Sequence, residues 1–178
     1  MRLAYSVSPS LACNGSPAPA YCDGGTPGAD DVEDIIKSAT SGVNAMPKFD
    51  GLLHRRVFRS KCDDACVAQW IDSYVVGKYV REPSFLSASQ AEDATCFFHG
   101  QAHFVYEAKG GAHDVSSISD LPNEKEAIFP PGTVFKVTKI EKHKEIFCTS
   151  DHGWVGDLDP GHPNDPGYEA IVYLTNVK

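Results

Sequence analysis

Glu124-Lys125-Glu126-Ala127-Ile128-Phe129-Pro130-Pro131-Gly132-Thr133-Val134-Phe135-Lys136-Val137 is the stretch on which the reading of this chain turns. In an extended strand side chains alternate between faces, so Glu124 and Glu126 are expected on one face with Lys125 on the other. Two carboxylates on a shared face can divide the work of acid–base or electrostatic catalysis. Pro130-Pro131-Gly132 signals a turn, which places the pair near the end of its strand. An isolated E-x-E is more often a pair of solvated surface carboxylates. What gives this pair weight is a basic strand and a Ser-x-Ser further up the chain.

Composition sets the limits. With 178 residues, 42% of them hydrophobic, the chain is long enough for one domain with its own core. Its formal net charge of −8 argues against a nucleic-acid-binding stripe or a polybasic membrane patch. No apolar run approaches the roughly 18 residues needed to cross a membrane. Met1 to Ser10 makes a poor secretory signal, because its apolar part is short and broken by Ser and Pro.

Six cysteines, Cys13, Cys22, Cys62, Cys66, Cys96 and Cys148, permit disulfides without requiring them. Cys62-x-x-x-Cys66 with His99-x-x-x-His103 has the ligand types of a zinc site, but the long interval between the pairs is unlike a compact zinc module. Free thiols, disulfides and metal all stay open at this level.

Working outward, residues 1–28 are rich in Ser, Pro, Ala and Gly and read as a flexible leader or linker, with a catalytic domain expected over 29–178. A helix is expected from Asp30, with acidic residues in its first turn, Val32, Ile35 and Ile36 on its apolar face and Gly42 as its stop. Met46 to Gly51 reads as a turn and Leu52 to Arg59 as a strand. Cys62 to Val76 reads as a helix with Ala65, Cys66, Trp70, Ile71 and Tyr74 on one face. Tyr79 to Phe85 is expected to be extended, followed by the polar run Ser87 to Ser89 and a short helix over Gln90 to Phe97. Ala102 to Ala108, Val134 to Ile140 and Ala170 to Leu174 read as strands, and Val115 to Asn123 and Gly153 to Pro166 as loops. Helices first and mainly short strands afterwards is an α+β pattern rather than alternating βαβ.

Gly51-Leu52-Leu53-His54-Arg55-Arg56-Val57, Phe85-Leu86-Ser87-Ala88-Ser89 and the Glu124-to-Thr133 segment, in that order, resemble the mono-ADP-ribosyltransferases of the Arg-Ser-Glu class, which include many bacterial toxins and effectors. The resemblance covers roughly Met46 to Lys178. It implies two packed, mainly antiparallel β-sheets with N-terminal helices. It implies NAD as co-substrate, no metal, and a host or target-cell protein as acceptor of ADP-ribose.

Residue by residue, Arg55 matches the first-strand arginine that contacts NAD phosphate, a task suited to the guanidinium fork. His54 stands where the family has an aromatic residue and Arg56 where it has Gly, so Arg56 and Arg59 remain alternatives to Arg55. Ser87 matches the serine that orients the catalytic glutamate, and Ser89 supports the local backbone. Ala88 replaces the family's usual Thr. Glu126 matches the catalytic glutamate, whose fixed charge opposes the cation that develops on the ribose. Glu124 matches the residue that receives the nucleophile, and a Glu there goes with arginine as acceptor.

The loop Val115 to Asn123 would contact the protein target, and Phe97, Phe98 or a tyrosine would stack on nicotinamide. The implied role is that of a secreted or delivered effector in a target-cell cytoplasm, compatible with an immunity or inhibitor protein as a further partner. Two other readings differ in kind: a NAD glycohydrolase on the same scaffold, and a non-enzymatic, disulfide-bearing interaction module.

Overall fold

The computed structural model describes residues 29–57, 59, 62–92, 94–95, 101–142 and 170–177. Its packing divides the chain into two units, Met1–Ala45 and Met46–Lys178. In the first, α1 spans Ala29–Ala45. Its partly covered positions, 32, 35, 36, 39, 40 and 43, recur at helical spacing, and a Glu33–Lys37 ion pair of 2.8 Å crosses one turn. Gly42 does not stop this helix, which runs three residues further. No helix among the described residues is long and apolar enough to cross a membrane.

Among the described residues of the second unit there are nine strands and one α-helix. The strands are β1 (Lys48–Phe49), β2 (Leu52–Val57), β3 (Tyr79–Arg81), β4 (Leu86–Ser89), β5 (Ala102–Glu107), β6 (Ala112–Asp114), β7 (Glu126–Phe129), β8 (Val134–Lys142) and β9 (Ala170–Asn176). The helix is α2 (Asp64–Asp72). Hydrogen bonding joins the strands in the order β1-β6-β7-β4-β2-β5-β9-β8-β3. Only the β5–β9 pairing is parallel among the described strands.

The ladder is continuous, but it is thin at one place. A single residue pair, His54↔Ser89, links β2 to β4, whereas β2 and β5 pair over six residues. The two halves fold over a shared core. Phe129 on β7 and Phe135 on β8 stand four intervening strands apart in the ladder, yet their rings meet edge-on at 4.9 Å, with Tyr106 of β5 against both. This is how a mainly antiparallel α+β fold presents two packed sheets while its hydrogen bonds form one ladder. The β7–β8 reversal is a turn with Pro131 second and Gly132 third. Gly132 has φ of 84°, and Thr133 N–H donates to the Pro130 carbonyl at 3.3 Å, the arrangement in which a third-position Gly is favoured.

Helix α2 is shorter than the sequence expectation. Asp63 caps it, its carboxylate accepting from Cys66 N–H at 2.9 Å. The buried face is Val67 and Ile71, with Trp70 and Tyr74 packed against the core, while Ala65 and Cys66 are exposed. Cys62 and Cys66 are joined by a disulfide. The pairing of these two with His99 and His103 in a zinc site is therefore not what the fold builds. His103 lies instead against His54, and His99 falls outside the described residues. Strand β1 takes part of what reads as a turn, and β6 was not evident in the sequence. The Gly153-to-Pro166 loop falls outside the described residues.

Candidate active site

The thin junction between the two halves of the ladder is where the sequence-predicted residues converge. Pairing of β4 with β7 sets Ser87 opposite Ile128, Ala88 opposite Ala127 and Ser89 opposite Glu126. The two serines and Glu126 thus share one face, and Ala88 and Ala127, both buried, share the other. The Ser87 hydroxyl donates to Glu126 Oε1 at 2.5 Å. A bond of that length fixes the orientation of the carboxylate. Alanine in place of the family's Thr at position 88 leaves this bond intact, because residue 88 faces the core.

Ser89 has a different task. Its hydroxyl lies 2.6 Å from the Glu124 carbonyl and 2.8 Å from the Ala91 carbonyl, and it accepts from Ala91 N–H at 3.0 Å. One side chain therefore fastens both the turn after β4 and the turn before β7.

The two glutamates are not presented by a single strand. Pro122–Glu124 form one turn of 3-10 helix, Lys125 adopts a left-handed conformation with φ of 46°, and only then does β7 begin at Glu126. Left-handed backbone is disfavoured for a residue with a Cβ. Here Gln90 N–H donates to the Lys125 carbonyl at 3.0 Å, and Lys125 N–H donates to that of Pro122 at 3.1 Å. The expected period-2 geometry is thus replaced by a kink, yet both carboxylates line the same cleft. Burial, and then the neighbouring Glu126 charge, push the Glu124 carboxyl above its ordinary value.

The cleft is lined by His54, Arg55, Arg56, Ser87, Ala88, Ser89, Thr95, Glu124 and Glu126. Arg55 Nη1 donates to the Ser87 carbonyl at 2.7 Å, bridging the seam between β2 and β4. Arg56 is largely buried, and the His54↔Ser89 register gives it the same strand parity as Ser87. Both arginines reach the cleft by different routes, while Arg59 has its guanidinium over the Trp70 ring at 4.9 Å. His54, where the resemblance leads one to expect an aromatic ring, has Nδ1 3.2 Å from His103 Nε2. Burial holds both imidazoles below the usual histidine range, and His103 falls to about 3 through burial, His54 and Arg56 in that order.

The segment from Val115 to Asn123 begins with Val115 N–H on the Glu126 carbonyl at 3.0 Å and exposes Ile118 and Leu121. Phe97 and Phe98 fall outside the described residues. The sequence reading missed Thr95, Glu92 and the His54–His103 contact. The last follows from the β2–β5 register, which puts 54 and 103 on one face.

A family model for NAD:arginine ADP-ribosyltransferase matches residues 54–149. This chain belongs to that family. Among its relatives, a protein described as a putative NAD(+)–arginine ADP-ribosyltransferase, Vis of Vibrio splendidus (strain 12B01), is 25% identical over 142 residues, covering 74% of this chain and 51% of the relative. The chain thus spans about half the length of that curated relative.

Solved structures agree on the fold. The Vis toxin from Vibrio splendidus superposes with a TM-score of 0.59 at 19% identity, over 97% of this chain and 69% of that one. The ADP-ribosyltransferase HopU1 of Pseudomonas syringae pv. tomato DC3000 gives 0.61 at 18% identity, over 94% and 64%. The same Vis enzyme has been crystallised with agmatine, and that structure gives 0.59 at 21% identity, over 97% and 70%. The α+β class and the ADP-ribosyltransferase-like fold expected from the sequence both hold.

Proposed function

We propose that this chain is a NAD-dependent mono-ADP-ribosyltransferase that modifies arginine on a target-cell protein, in the manner of a bacterial toxin or effector. The observation that carries the proposal is the 2.5 Å bond from Ser87 to Glu126 in a cleft that Glu124 and Arg55 also line. Breaking the bond between nicotinamide and ribose builds positive charge on the sugar. A fixed anion at Glu126 lowers that barrier, because its orientation is set before the reaction begins. With Oε1 held by Ser87, Oε2 is the oxygen assigned to the ribose 2′-hydroxyl. Arg55 braces the Ser87 carbonyl through Nη1 and offers its remaining donors to a NAD phosphate. Ser89 fixes the backbone on either side.

Glu124 faces the acceptor. A guanidinium is protonated at neutral pH and nucleophilic only as it loses a proton, and a carboxylate of raised proton affinity is well matched to take it. Agmatine is a guanidinium compound, and its complex with the Vis enzyme supports the same acceptor chemistry here. The loop from Val115 to Asn123, with Ile118 and Leu121 exposed, is assigned to contact with the protein target. None of these steps draws on a metal ion. The catalytic unit is proposed to lie within 29–178, with the target-cell cytoplasm as the place of action; an immunity or inhibitor protein is compatible with that role.

Labelled NAD supplied with agmatine, and separately with a target-cell lysate, tests the proposal. Label should appear on agmatine and on protein arginine, mapped by fragmentation. Release of nicotinamide with no label on either acceptor would replace the transferase with a NAD glycohydrolase.

A further inference from the structure

Besides the two glutamates, one cluster of ligand-type side chains stands out among the described residues. His54, Glu92 and His103 each present one donor atom, and all three atoms lie within 4.8 Å of one another. The histidines sit diagonally on paired strands: His54 is opposite Val105, and His103 is opposite Arg56. Glu92 comes from the turn after β4, whose geometry is set by Thr95. Both the N–H and the hydroxyl of Thr95 donate to the Glu92 carbonyl, at 3.1 and 2.6 Å. Ser89 fastens the start of that turn through Ala91.

The spacing suits a metal ion. Zinc–imidazole bonds are about 2.0–2.1 Å, and two of them at the tetrahedral angle separate their nitrogens by about 3.3–3.4 Å. The observed Nδ1–Nε2 separation is 3.2 Å. Two imidazoles and one carboxylate form a donor set that favours zinc, cobalt or nickel over calcium or magnesium. His103 is 1% exposed, which gives a rigid ligand, while the exposed Glu92 leaves a route of entry.

We propose that His54, His103 and Glu92 form a three-ligand site for a divalent transition-metal ion of the zinc type, with a fourth position for water. The ion ties the turn after the Ser-x-Ser strand to β2 and β5, and so stiffens one wall of the cleft without entering the transfer chemistry. Arg56, on the same strand face, opposes the added positive charge. Binding is therefore weaker than in a closed four-ligand structural site. A plain hydrogen bond between the two imidazoles accounts for the 3.2 Å separation as well, but it needs neither Glu92 nor an ion.

The two accounts separate in a direct titration. The 178-residue chain, treated with chelator and dialysed, is titrated with Co2+ near neutral pH. One equivalent should produce the intense visible absorption of a four-coordinate cobalt site, which Zn2+ then abolishes. Zn2+ should also raise the melting temperature, because it binds the folded state. Glu92→Ala and His54→Gln should each weaken cobalt binding on the order of tenfold or more and remove the zinc-induced rise. These positions are chosen because replacing the buried His103 risks the fold, and circular dichroism confirms that each variant folds. No visible band in the wild-type chain overturns the proposal. So does a band, with its thermal shift, that persists unchanged in both variants, since other histidines or cysteines then hold the ion. Neither readout involves NAD, so this site stands or falls apart from the transferase reading.

Discussion

Glu126 and Glu124 are two residues apart and line one cleft, yet different kinds of structure hold them. Glu126 opens a paired strand, its carboxylate tied to Ser87 at 2.5 Å. Glu124 closes a 3-10 turn and is placed by its backbone, through Ser89 on its carbonyl and the left-handed Lys125 that follows. A strand with a cross-strand side-chain bond gives a fixed charge, which is what stabilising a developing cation demands. A kinked turn holds Glu124 by its backbone rather than by a bond to its carboxylate, which suits the acceptor-facing role proposed for it. Under the proposed roles, the two halves of the reaction, NAD activation and acceptor use, should be open to separate damage.

The largest effect is expected at Glu126. Glu126→Gln keeps the shape and removes the charge, so turnover should fall by a factor on the order of hundreds or more while NAD affinity changes much less. Steady-state kinetics with NAD titration check this, and near wild-type turnover would end the assignment of Glu126 to NAD activation.

The two serines sharpen the contrast. Ser87→Ala releases the Glu126 carboxylate and should cost about 1–3 kcal/mol of transition-state stabilisation in transfer and in hydrolysis alike. Ser89→Ala loosens the Glu124 turn and should lower arginine transfer more than hydrolysis. Equal losses of both reactions in the Ser89 variant would mean that the turn and the strand act as one unit.

The smallest effect concerns stability. Burial and Glu126 raise the Glu124 carboxyl above its ordinary 4.5. A raised carboxyl favours the folded state when protonated. Its contribution is fully present below pH 4.5 and is lost as pH rises through the folded-state value. Glu124→Gln should therefore melt slightly higher than wild type at pH 7, and the gap should close below pH 4.5. Solvent screening of this only partly buried group keeps the shift small. A variant that melts lower at pH 7 would show that the carboxylate supports the turn.

How much of this was legible in the sequence depends on the element. The strands β5, β8 and β9 could be read within one or two residues, because their apolar positions follow from burial. β1 and β6, two and three residues long, left no periodicity to detect. The Ser87–Glu126 bond joins residues 39 positions apart, and only the family resemblance pointed to it. The kink at Lys125 was hidden because a lysine carries no left-handed signal of the kind Gly or Asn gives. The His54–Glu92–His103 cluster depends on strand register and on a turn, neither of which spacing reveals.

The separation of the two glutamates is tested most directly by Glu124→Gln with both reactions followed in one tube, label on agmatine or protein reporting transfer and free nicotinamide reporting total NAD cleavage. The account predicts that most arginine modification disappears while NAD hydrolysis largely survives. If transfer and hydrolysis fall together, Glu124 serves NAD activation or the fold, and the division between strand and turn is contradicted.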